Sequence, residues 1–295
     1  MKLAFKVDVD TFDGTRVGVK NLSNLFCKYE IPATFFFSLG KDQMGRSIFR
    51  IFKRGFLKKC LKSKVVSNYS LRTLLSGTII PAPVIADKCT NTMRDVADKG
   101  FECGVHCLNH YKWQNFLNVM LDEEVYREFS LACEKFKEVF CTNPVSSASA
   151  GWQVSAAYFK AQDEKKILYG SDVRGSYPFY PRIDGAVFNT IQIPTTLYTL
   201  DEILVSHKLD DIIPIQMDYI NSKEISIMTI HAELEGMAYL EWFELFLKKL
   251  IKENVEFFFL KDYVQSLKKN SKNIPICDVE MTKFFNRSGL LAIQK

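Results

Sequence analysis

Three of the four histidines in this chain have the spacing and context of a metal-binding site. His106 and His110 form an H-x-x-x-H motif in GVHCLNHYKW, and His231 follows a β-branched run in MTIHAE. Two histidines four positions apart project from the same face of a helix, close enough to bind one divalent ion. This pattern predicts that His106 and His110 are metal ligands on one helical face.

Two aspartates at the end of the first predicted strand, Asp8 and Asp10 in LAFKVDVDT, could complete such a site. Residues i and i+2 of a strand point to the same side, so both carboxylates can face one pocket. Two histidines and one carboxylate leave a coordination position open for water. The constellation therefore indicates metal-assisted hydrolysis.

The composition is that of a soluble globular enzyme, with 47% hydrophobic and 25% charged residues in a chain of 295. Eight cysteines without a C-x-x-C pair, and an N-terminus that begins directly in a strand, favour free thiols in a reducing cytoplasm. Cys107, between the two motif histidines, could be a metal ligand or a small buried residue. No apolar run reaches the roughly 18 residues needed to span a bilayer.

Short apolar strands alternate with helical segments along the chain, in about seven β/α units. Such alternation predicts parallel strands with right-handed crossovers, whose carboxyl ends meet on one face of a barrel. The candidate catalytic residues all follow predicted strand ends: Asp8, Asp10, His106, Asp172 and His231. We expect one α/β catalytic domain over residues 1–270, followed by a tail at 271–295 without a structural prediction.

An acidic pair at a strand end, H-x-x-x-H and a late I-H together resemble the pattern of the polysaccharide deacetylases, carbohydrate esterase family four. The segments DVDTFDGTR, FFFSLGKDQMGR, GVHCLNHYKW, SAGWQ, YGSDVRG, IQIPTTL and TIHAELEG are similar to the bacterial deformylases of undecaprenyl-phosphate-linked 4-deoxy-4-formamido-L-arabinose. They run in order from Lys6 to about Gly236 and so cover most of the chain.

The resemblance implies a deformed (β/α) barrel and one divalent metal held by Asp10, His106 and His110. It also implies Asp8 as the general base and His231 as the general acid. Family members carry adjacent aspartates, whereas Val9 separates them here, so an exchange of roles between the two aspartates stays open. Zinc suits two histidines and an aspartate, and manganese, cobalt or nickel could occupy the same ligands.

Amide hydrolysis needs an activated water, a site for the oxyanion and a proton for the leaving amine. The metal would lower the pKa of water from about 15.7 towards about 7 and polarise the acyl oxygen. Asp8 would accept the proton of the water, and His231 would donate one to the departing nitrogen.

Four further residues are weaker candidates. The family's third motif carries an arginine that holds the base, but the corresponding AGWQ segment has none, so Arg174 could supply that charge. Asp172 could orient His231 from the second coordination sphere. Trp152 could line a sugar pocket or fill the core, and Glu233 could contact the sugar or be an exposed loop acid.

Between Gly45 and Lys64 lie eight basic residues and no acidic one, interleaved with phenylalanines at helical spacing. This stripe predicts an amphipathic helix in the interface of an anionic membrane, or else an ordinary helix that packs its apolar side into the core. Nucleic acid is not expected, because no groove-reading motif accompanies the charges. The candidate docking residues are Arg46, Phe49, Arg50, Lys53, Arg54, Phe56 and Lys58.

These features predict a metal-dependent amide hydrolase, peripheral to the cytoplasmic face of the bacterial inner membrane. The resemblance implies removal of the N-formyl group from the lipid-linked sugar, in the lipopolysaccharide biosynthesis that modifies lipid A and gives resistance to cationic peptide antibiotics. One alternative is an N-deacetylase of an undecaprenyl-phosphate-linked N-acetylhexosamine. Another is a non-catalytic membrane-binding protein with the same fold.

Overall fold

The first strand, β1, consists of Lys2–Val9 and is buried from Leu3 onward. Its neighbour β2, Ala33–Ser38, is buried at every position. Strands that are buried on both faces are typical of parallel sheets covered by helices. The computed structural model describes residues 1–46, 76–78, 81–269, 273–287 and 289–295.

The later strands of the described residues are short, apart from the two that carry the histidines and the two at the C-terminus. They are β3 (Glu102–Cys107), β4 (Ser146–Ser147), β5 (Tyr169–Gly170), β6 (Tyr180–Ile183), β7 (Ala186–Val187), β8 (Ile191–Gln192), β9 (Ile225–His231), β10 (Glu256–Phe257), β11 (Ile276–Lys283) and β12 (Leu290–Gln294).

Seven parallel strands form a curved sheet in the order β9, β1, β2, β3, β4, β5 and β8, and β10 pairs with the first residues of β1. Beyond β8, the N–H groups of Thr196 and Leu197 donate to the carbonyl of Ile227 in β9, at 3.0 and 3.3 Å. These bonds link the two ends of the sheet. The deformed (β/α) barrel of about seven parallel strands is thereby confirmed.

Helices connect the strands and pack around the sheet. Those in the described residues are α1 (Val19–Lys28), α2 (Ile85–Asp98), α3 (His110–Phe116), α4 (Asp122–Phe140), α5 (Ala156–Glu164), α6 (Leu200–Leu204), α7 (Leu209–Asn221), α8 (Leu240–Lys252) and α9 (Leu260–Lys269).

An aromatic cluster fixes β1 against its helices. The ring of Phe5 lies 5.4 Å from Phe26 of α1 and 5.6 Å from Phe243 of α8, measured between ring centroids. Phe26 also contacts Phe35 of β2 at 6.3 Å. Aromatic pairs of this kind add about 0.5–1.5 kcal/mol each beyond the burial of their area. They hold in place the strand whose far end carries Asp8.

A second sheet contains the C-terminal strands, in the order β12, β11, β6 and β7. β11 runs parallel to β6, and β12 returns antiparallel to β11. The N–H of Arg174 donates to the carbonyl of Ala292, and the N–H of Gln294 donates to that of Arg174, at 2.9 and 2.8 Å. The residues left without a structural prediction, 271–295, thus contain two strands that pack beside the loop after β5.

Most of the predicted docking stripe lies outside the described residues, including Phe49, Arg50, Lys53, Arg54, Phe56 and Lys58. Arg46 is described and exposed, and its Nε donates to the carbonyl of Gly77 at 2.9 Å. None of the helices in the described parts of the chain has the length and apolarity required to cross a membrane.

Candidate metal centre and active site

The ends of β1 and β3 bring together the three predicted metal ligands. Oδ1 of Asp10 lies 3.1 Å from Nε2 of His106 and 3.4 Å from Nε2 of His110. All three side chains are buried, and their ligand atoms lie within 4.8 Å of one another. Ligand atoms held at about 2.0–2.1 Å by one tetrahedral zinc lie roughly 3.3 Å apart. The cluster therefore fits a shared divalent ion.

The two histidines reach the cluster from different elements, so the expectation that they share one helical face is wrong. His106 belongs to β3, whereas His110 is the first residue of α3. The side chain of Asn109 caps this helix by accepting the N–H of Lys112 at 2.9 Å. Because the chain turns sharply between strand and helix, the two imidazole rings still approach to 5.4 Å between centroids.

Several buried polar atoms of this cluster have no hydrogen-bond partner among the described residues. They are Oδ1 of Asp10, both ring nitrogens of His106 and Nδ1 of His110. Buried polar atoms are normally paired, because an unpaired one costs free energy. A divalent ion beside Asp10 would satisfy Oδ1 of Asp10 and Nε2 of His106, which is a second reason to consider the residues a metal site.

The electrostatics of the cluster favour ligands in the required protonation states. Burial lowers the pKa of His110 to about 4, so the ring is neutral at pH 7. Burial raises the pKa of Asp10, but the charge of His110 and the close approach of the His106 ring, at 3.1 Å, together bring this pKa well below its usual range. A neutral imidazole and an ionised carboxylate are the forms that bind a metal.

Glu233 supports the turn that carries Asp10. Its Oε1 accepts the N–H of Asp10 at 3.0 Å, and the N–H and hydroxyl of Thr11 at 2.8 Å each. A Cβ on Gly14 would overlap this carboxylate, so only glycine allows the close approach. Burial, and then the charge of Asp10, raise the pKa of Glu233 to about 8. The expectation that Glu233 is an exposed loop acid is wrong, because it is buried.

Asp8 is paired with a cation that the sequence reasoning missed. Nζ of Lys6 lies 3.3 Å from Oδ2 of Asp8 and donates to the carbonyl of Ser171 at 2.9 Å. Both side chains are buried, at 0% and 5% exposure. Lys6 and Asp8 share one side of β1, and this two-residue spacing is the signal that could have revealed the pair.

Arg174 does not supply the positive charge beside Asp8. Its Nη2 donates to Oε2 of Glu202 at 2.8 Å, and its guanidinium lies over the rings of Trp152 and Phe284, at 5.1 and 4.5 Å. Arg174 is held by Glu202 and these rings, whereas Lys6 provides the cation next to Asp8.

His231 ends β9, and its ring is neighboured by an acid that the sequence reasoning also missed. Nδ1 of His231 lies 4.0 Å from Oδ1 of Asp201, and its main-chain N–H donates to Glu235 at 2.8 Å. Burial lowers the pKa of His231, but the charges of Asp201, Asp10 and Glu235 outweigh it, and the net pKa is raised. The ring is thus biased towards carrying a proton.

Asp172 belongs to a different network, so its predicted role beside His231 is not supported. Oδ1 accepts the N–H of Ser149 at 2.7 Å and the hydroxyl of Tyr158 at 3.0 Å. Oδ2 accepts the amide of Gln162 at 2.7 Å. This buried carboxylate fixes the turn before Trp152 through main-chain and side-chain bonds.

A cavity of about 120 Å³ connects these groups. Trp152 is almost fully buried and forms part of its wall, where the guanidinium of Arg287 lies 4.4 Å from the centroid of the indole ring. The cavity is lined by Asp8, Asp10, Met44, His106, His110, Gln114, Gly151, Trp152, Asp201, His231, Leu234 and Arg287. It therefore contains both predicted acid–base residues and all three predicted ligands.

Cys107 lies outside the cluster of ligand atoms. Its Sγ lies 3.3 Å from Oγ of Ser38, and burial raises the pKa of the thiol far above its usual range. A thiol that stays protonated is a poor metal ligand. Of the two roles considered for Cys107, the structure favours the small buried residue.

The curved parallel sheet has the fold of the polysaccharide deacetylases, and the Asp-His-His cluster lies at the carboxyl ends of its first strands. The structure of a protein described as a probable polysaccharide deacetylase from Pseudomonas aeruginosa PAO1 has the same fold, with a TM-score of 0.60, 14% identity and coverage of 91% of both chains. No protein-family model matches the chain.

Two curated relatives define the family more narrowly. Both are described as a probable 4-deoxy-4-formamido-L-arabinose-phosphoundecaprenol deformylase ArnD. The protein of Shewanella sediminis is 35% identical over 262 residues, which cover 87% of this chain and 83% of that protein. The protein of Wigglesworthia glossinidia brevipalpis is 33% identical over 288 residues, covering 96% and 98%. This chain belongs to the family of these ArnD deformylases.

Proposed function

We propose that this protein is a metal-dependent amide hydrolase that removes the N-formyl group from undecaprenyl-phosphate-linked 4-deoxy-4-formamido-L-arabinose. The observation that carries the proposal is the contact of Oδ1 of Asp10 with Nε2 of both His106 and His110, in a cavity that also contains Asp8 and His231. The names of the two curated relatives support the choice of substrate.

Asp10, His106 and His110 would hold one divalent ion, for which zinc is the first candidate and manganese, cobalt or nickel are alternatives. When bound, such an ion acidifies a water molecule and polarises the acyl oxygen of the substrate. The exchanged assignment, with Asp8 as the ligand, has less support, because Asp8 lies 4.0 Å from Nδ1 of His106 and is paired with Lys6.

Asp8 is the proposed general base. The buried ammonium of Lys6, 3.3 Å from Oδ2, neutralises the carboxylate in its resting form and fixes its orientation. Oδ1 of Asp8 has no hydrogen-bond partner among the described residues and belongs to a side chain that lines the cavity. This oxygen is therefore available to accept a proton from water.

His231 is the proposed general acid. Burial lowers the pKa of His231, but the charge of Asp201, the largest opposing cause, helps to raise the net pKa, which favours the protonated ring that this role needs. The protonated ring would give its proton to the nitrogen of the departing amino sugar. An ionised Asp8 and a protonated His231 are the complementary pair that amide hydrolysis requires.

The proposed substrate is anchored in the membrane, so the enzyme would work as a peripheral protein at the cytoplasmic face of the inner membrane, in lipid A modification and resistance to cationic peptide antibiotics. The segment that follows α3 in the chain exposes Val119 and Leu121 at 70% and 71%. These exposed apolar side chains, together with the cationic segment of 46–64, support approach to an anionic leaflet.

Purified protein incubated with synthetic formylated and acetylated lipid-linked sugars, and analysed by mass spectrometry, tests the function. We expect release of formate from undecaprenyl-phosphate-linked 4-deoxy-4-formamido-L-arabinose, and loss of turnover in His110→Ala. Faster turnover of an undecaprenyl-phosphate-linked N-acetylhexosamine would favour the N-deacetylase instead. No turnover of either by protein loaded with zinc, manganese, cobalt or nickel would favour a non-catalytic role.

A further inference from the structure

A residue from the C-terminal segment reaches the active-site cavity. Arg287 lies between β11 and β12 and lines the cavity together with Asp201 and His231. Among the described residues that form its wall, it is the only lysine or arginine. Its side chain is 16% exposed, so most of the guanidinium surface is covered by neighbouring groups.

Arg287 forms a two-point bridge to the first turn of α6. Its Nε donates to Oε1 of Glu202 at 2.8 Å, and its Nη2 donates to Oδ2 of Asp201 at 3.5 Å. The guanidinium plane also covers the indole of Trp152, with 4.4 Å between its centre and the ring centroid. The bridge and the indole together leave the arginine little freedom, and they restrict Asp201 in turn.

The second carboxylate oxygen of Asp201, Oδ1, contacts Thr199 and His231 rather than Arg287. Oδ1 accepts the hydroxyl of Thr199 at 2.6 Å and lies 4.0 Å from Nδ1 of His231. The carboxylate is therefore fixed by Thr199 and Arg287, and its Oδ1 faces the imidazole. The groups form a sequence of contacts from Arg287 through Asp201 to His231.

We propose that Arg287 is a positioning residue for the reaction, which acts on His231 by holding Asp201 against the imidazole. The inference rests on the proposed function, in which His231 is the general acid. It assigns to the C-terminal segment a part in positioning the proposed general acid, because no residue before β11 makes this bridge to Asp201 among the described contacts.

The chain provides a matched control for the structural contribution of such a contact. Arg182 of β6 makes a bidentate pair with Asp278 of β11, at 2.6 and 2.8 Å. This pair also joins the C-terminal segment to the rest of the protein, but Arg182 and Asp278 do not line the cavity. Arg182→Met therefore removes an arginine–aspartate pair of the same segment without touching Asp201.

The test compares Arg287→Met, Arg287→Lys, Asp201→Asn, Arg182→Met and the double variant of Arg287→Met with Asp201→Asn. For Arg287→Met we expect kcat to fall about tenfold, which is less than the roughly 10²–10⁴-fold that a general acid itself contributes. KM and metal content should stay near wild type. Arg287→Lys should recover only part of kcat, because an ammonium cannot bridge two carboxylates in a plane. Arg182→Met should retain kcat.

The double variant distinguishes a positioning role of Arg287, exerted through Asp201, from a purely structural role in attaching the C-terminal segment. If Arg287 acts through Asp201, adding Arg287→Met to Asp201→Asn should lower kcat little further. Fully multiplicative losses, or an equal loss of kcat in Arg182→Met, would overturn the proposal. If Arg287→Met fails to fold, Arg287→Lys takes its place in the cycle.

A second measurement does not depend on turnover. In ¹⁵N-labelled protein at one fixed pH, the ring signals of His231 should shift in Arg287→Met and in Asp201→Asn, and remain in place in Arg182→Met. Unchanged His231 signals in Arg287→Met would refute the proposal that Arg287 acts on His231 through Asp201. If wild-type protein has no activity on either lipid-linked sugar, the proposed function fails, and these spectra still decide whether Arg287 positions the imidazole.

Discussion

Asp8 and His231 are register partners on adjacent parallel strands, β1 and β9. The N–H of Ala232 donates to the carbonyl of Asp8 at 3.0 Å, so the pairing extends to the end of both strands. Neighbouring strands lie about 4.8 Å apart. The spacing between the proposed base and the proposed acid is therefore fixed by main-chain hydrogen bonds, while Lys6 lies beside the first side chain and Asp201 beside the second.

Removing one ligand should empty the metal site. In His106→Ala and His110→Ala we expect bound metal to fall far below one ion per chain, because two remaining ligands compete poorly with water. Elemental analysis of purified protein measures this content, and circular dichroism checks the fold. His207→Ala, which changes an exposed histidine, should keep its metal. Wild-type metal content in both ligand variants would refute the assignment.

Asp8→Asn and His231→Ala should keep the metal and lose turnover by about 10²–10⁴-fold each, the usual contribution of a general base or acid. Steady-state assays with the formylated substrate, combined with metal analysis of the same samples, measure both effects. Loss of metal from Asp8→Asn, with metal retained in Asp10→Asn, would mean that the two aspartates have exchanged roles.

The buried ion pair between Lys6 and Asp8 should matter for stability as well as for catalysis. Lys6→Met leaves the Asp8 carboxylate buried without its partner, which is expected to lower the free energy of unfolding by about 3–5 kcal/mol. Urea denaturation measures the change. Lys2→Met is the control, because Lys2 lies on the same strand but pairs with Glu256 in an exposed position. Exposed ion pairs contribute little to the free energy of unfolding, so this variant should change it only slightly. Equal effects of the two variants would contradict the prediction.

Glu235 should make stability fall as pH rises. Burial raises its pKa from 4.5 to about 7 in the folded protein. The folded state therefore holds the proton more tightly than the unfolded state, and this stabilisation is lost between about pH 4.5 and pH 7. Relative to Glu235→Gln, wild type should lose on the order of 3 kcal/mol between pH 4.5 and pH 8.

Urea denaturation of wild type and Glu235→Gln across this pH range, with equal metal content, measures the effect of Glu235. Glutamine keeps an oxygen that can accept the N–H of His231, so the comparison isolates the charge. Parallel pH profiles for the two proteins would show that Glu235 does not titrate in this window.

The basic stripe should bind anionic membranes. Reversing Arg50, Lys53, Arg54 and Lys58 to glutamate should sharply reduce sedimentation with phosphatidylserine-containing vesicles, since each cation contributes about 1 kcal/mol near such a surface. Wild-type binding should also weaken with salt. Turnover of a short, water-soluble formamido-sugar analogue should stay near wild type, because its chemistry needs no membrane.

A control with the same change of charge reverses four exposed lysines of α5, α8 and α9: Lys160, Lys248, Lys252 and Lys268. This control should keep most of the vesicle binding. Equal binding by both reversed proteins would mean that net charge, rather than the stripe, accounts for the attraction.

Local patterns in the sequence were sufficient to predict the residues that now surround the cavity at the ends of β1, β3 and β9. Asp10, His106 and His231 each follow an apolar run, and the rule that parallel strands end on one face brings them together. The prediction that His106 and His110 share one helical face was wrong, because H-x-x-x-H has the same spacing whether or not the chain turns between its two histidines.

The supporting residues could not be predicted in the same way. Asp201 lies in the first turn of α6 and Arg287 between β11 and β12, and nothing in their spacing along the sequence connects them to His231 or Trp152. Arg174 and Asp172 were assigned from chemical type, but which carboxylate faces which cation depends on distances that a linear pattern does not contain. Lys6 is the exception, because its spacing to Asp8 was readable within one strand.

The position of Arg287 between β11 and β12, after every strand of the curved sheet, sets the order in which the cavity is completed during synthesis. β1, β3 and the ligand histidines leave the ribosome early and can fold in sequence. The wall that contains Arg287 and Trp152 closes only after β12 has been released and has paired with β11. In the proposed function, a ribosome-bound nascent chain would therefore be able to bind its metal before the pocket is complete, which would separate metal loading from catalytic competence in time.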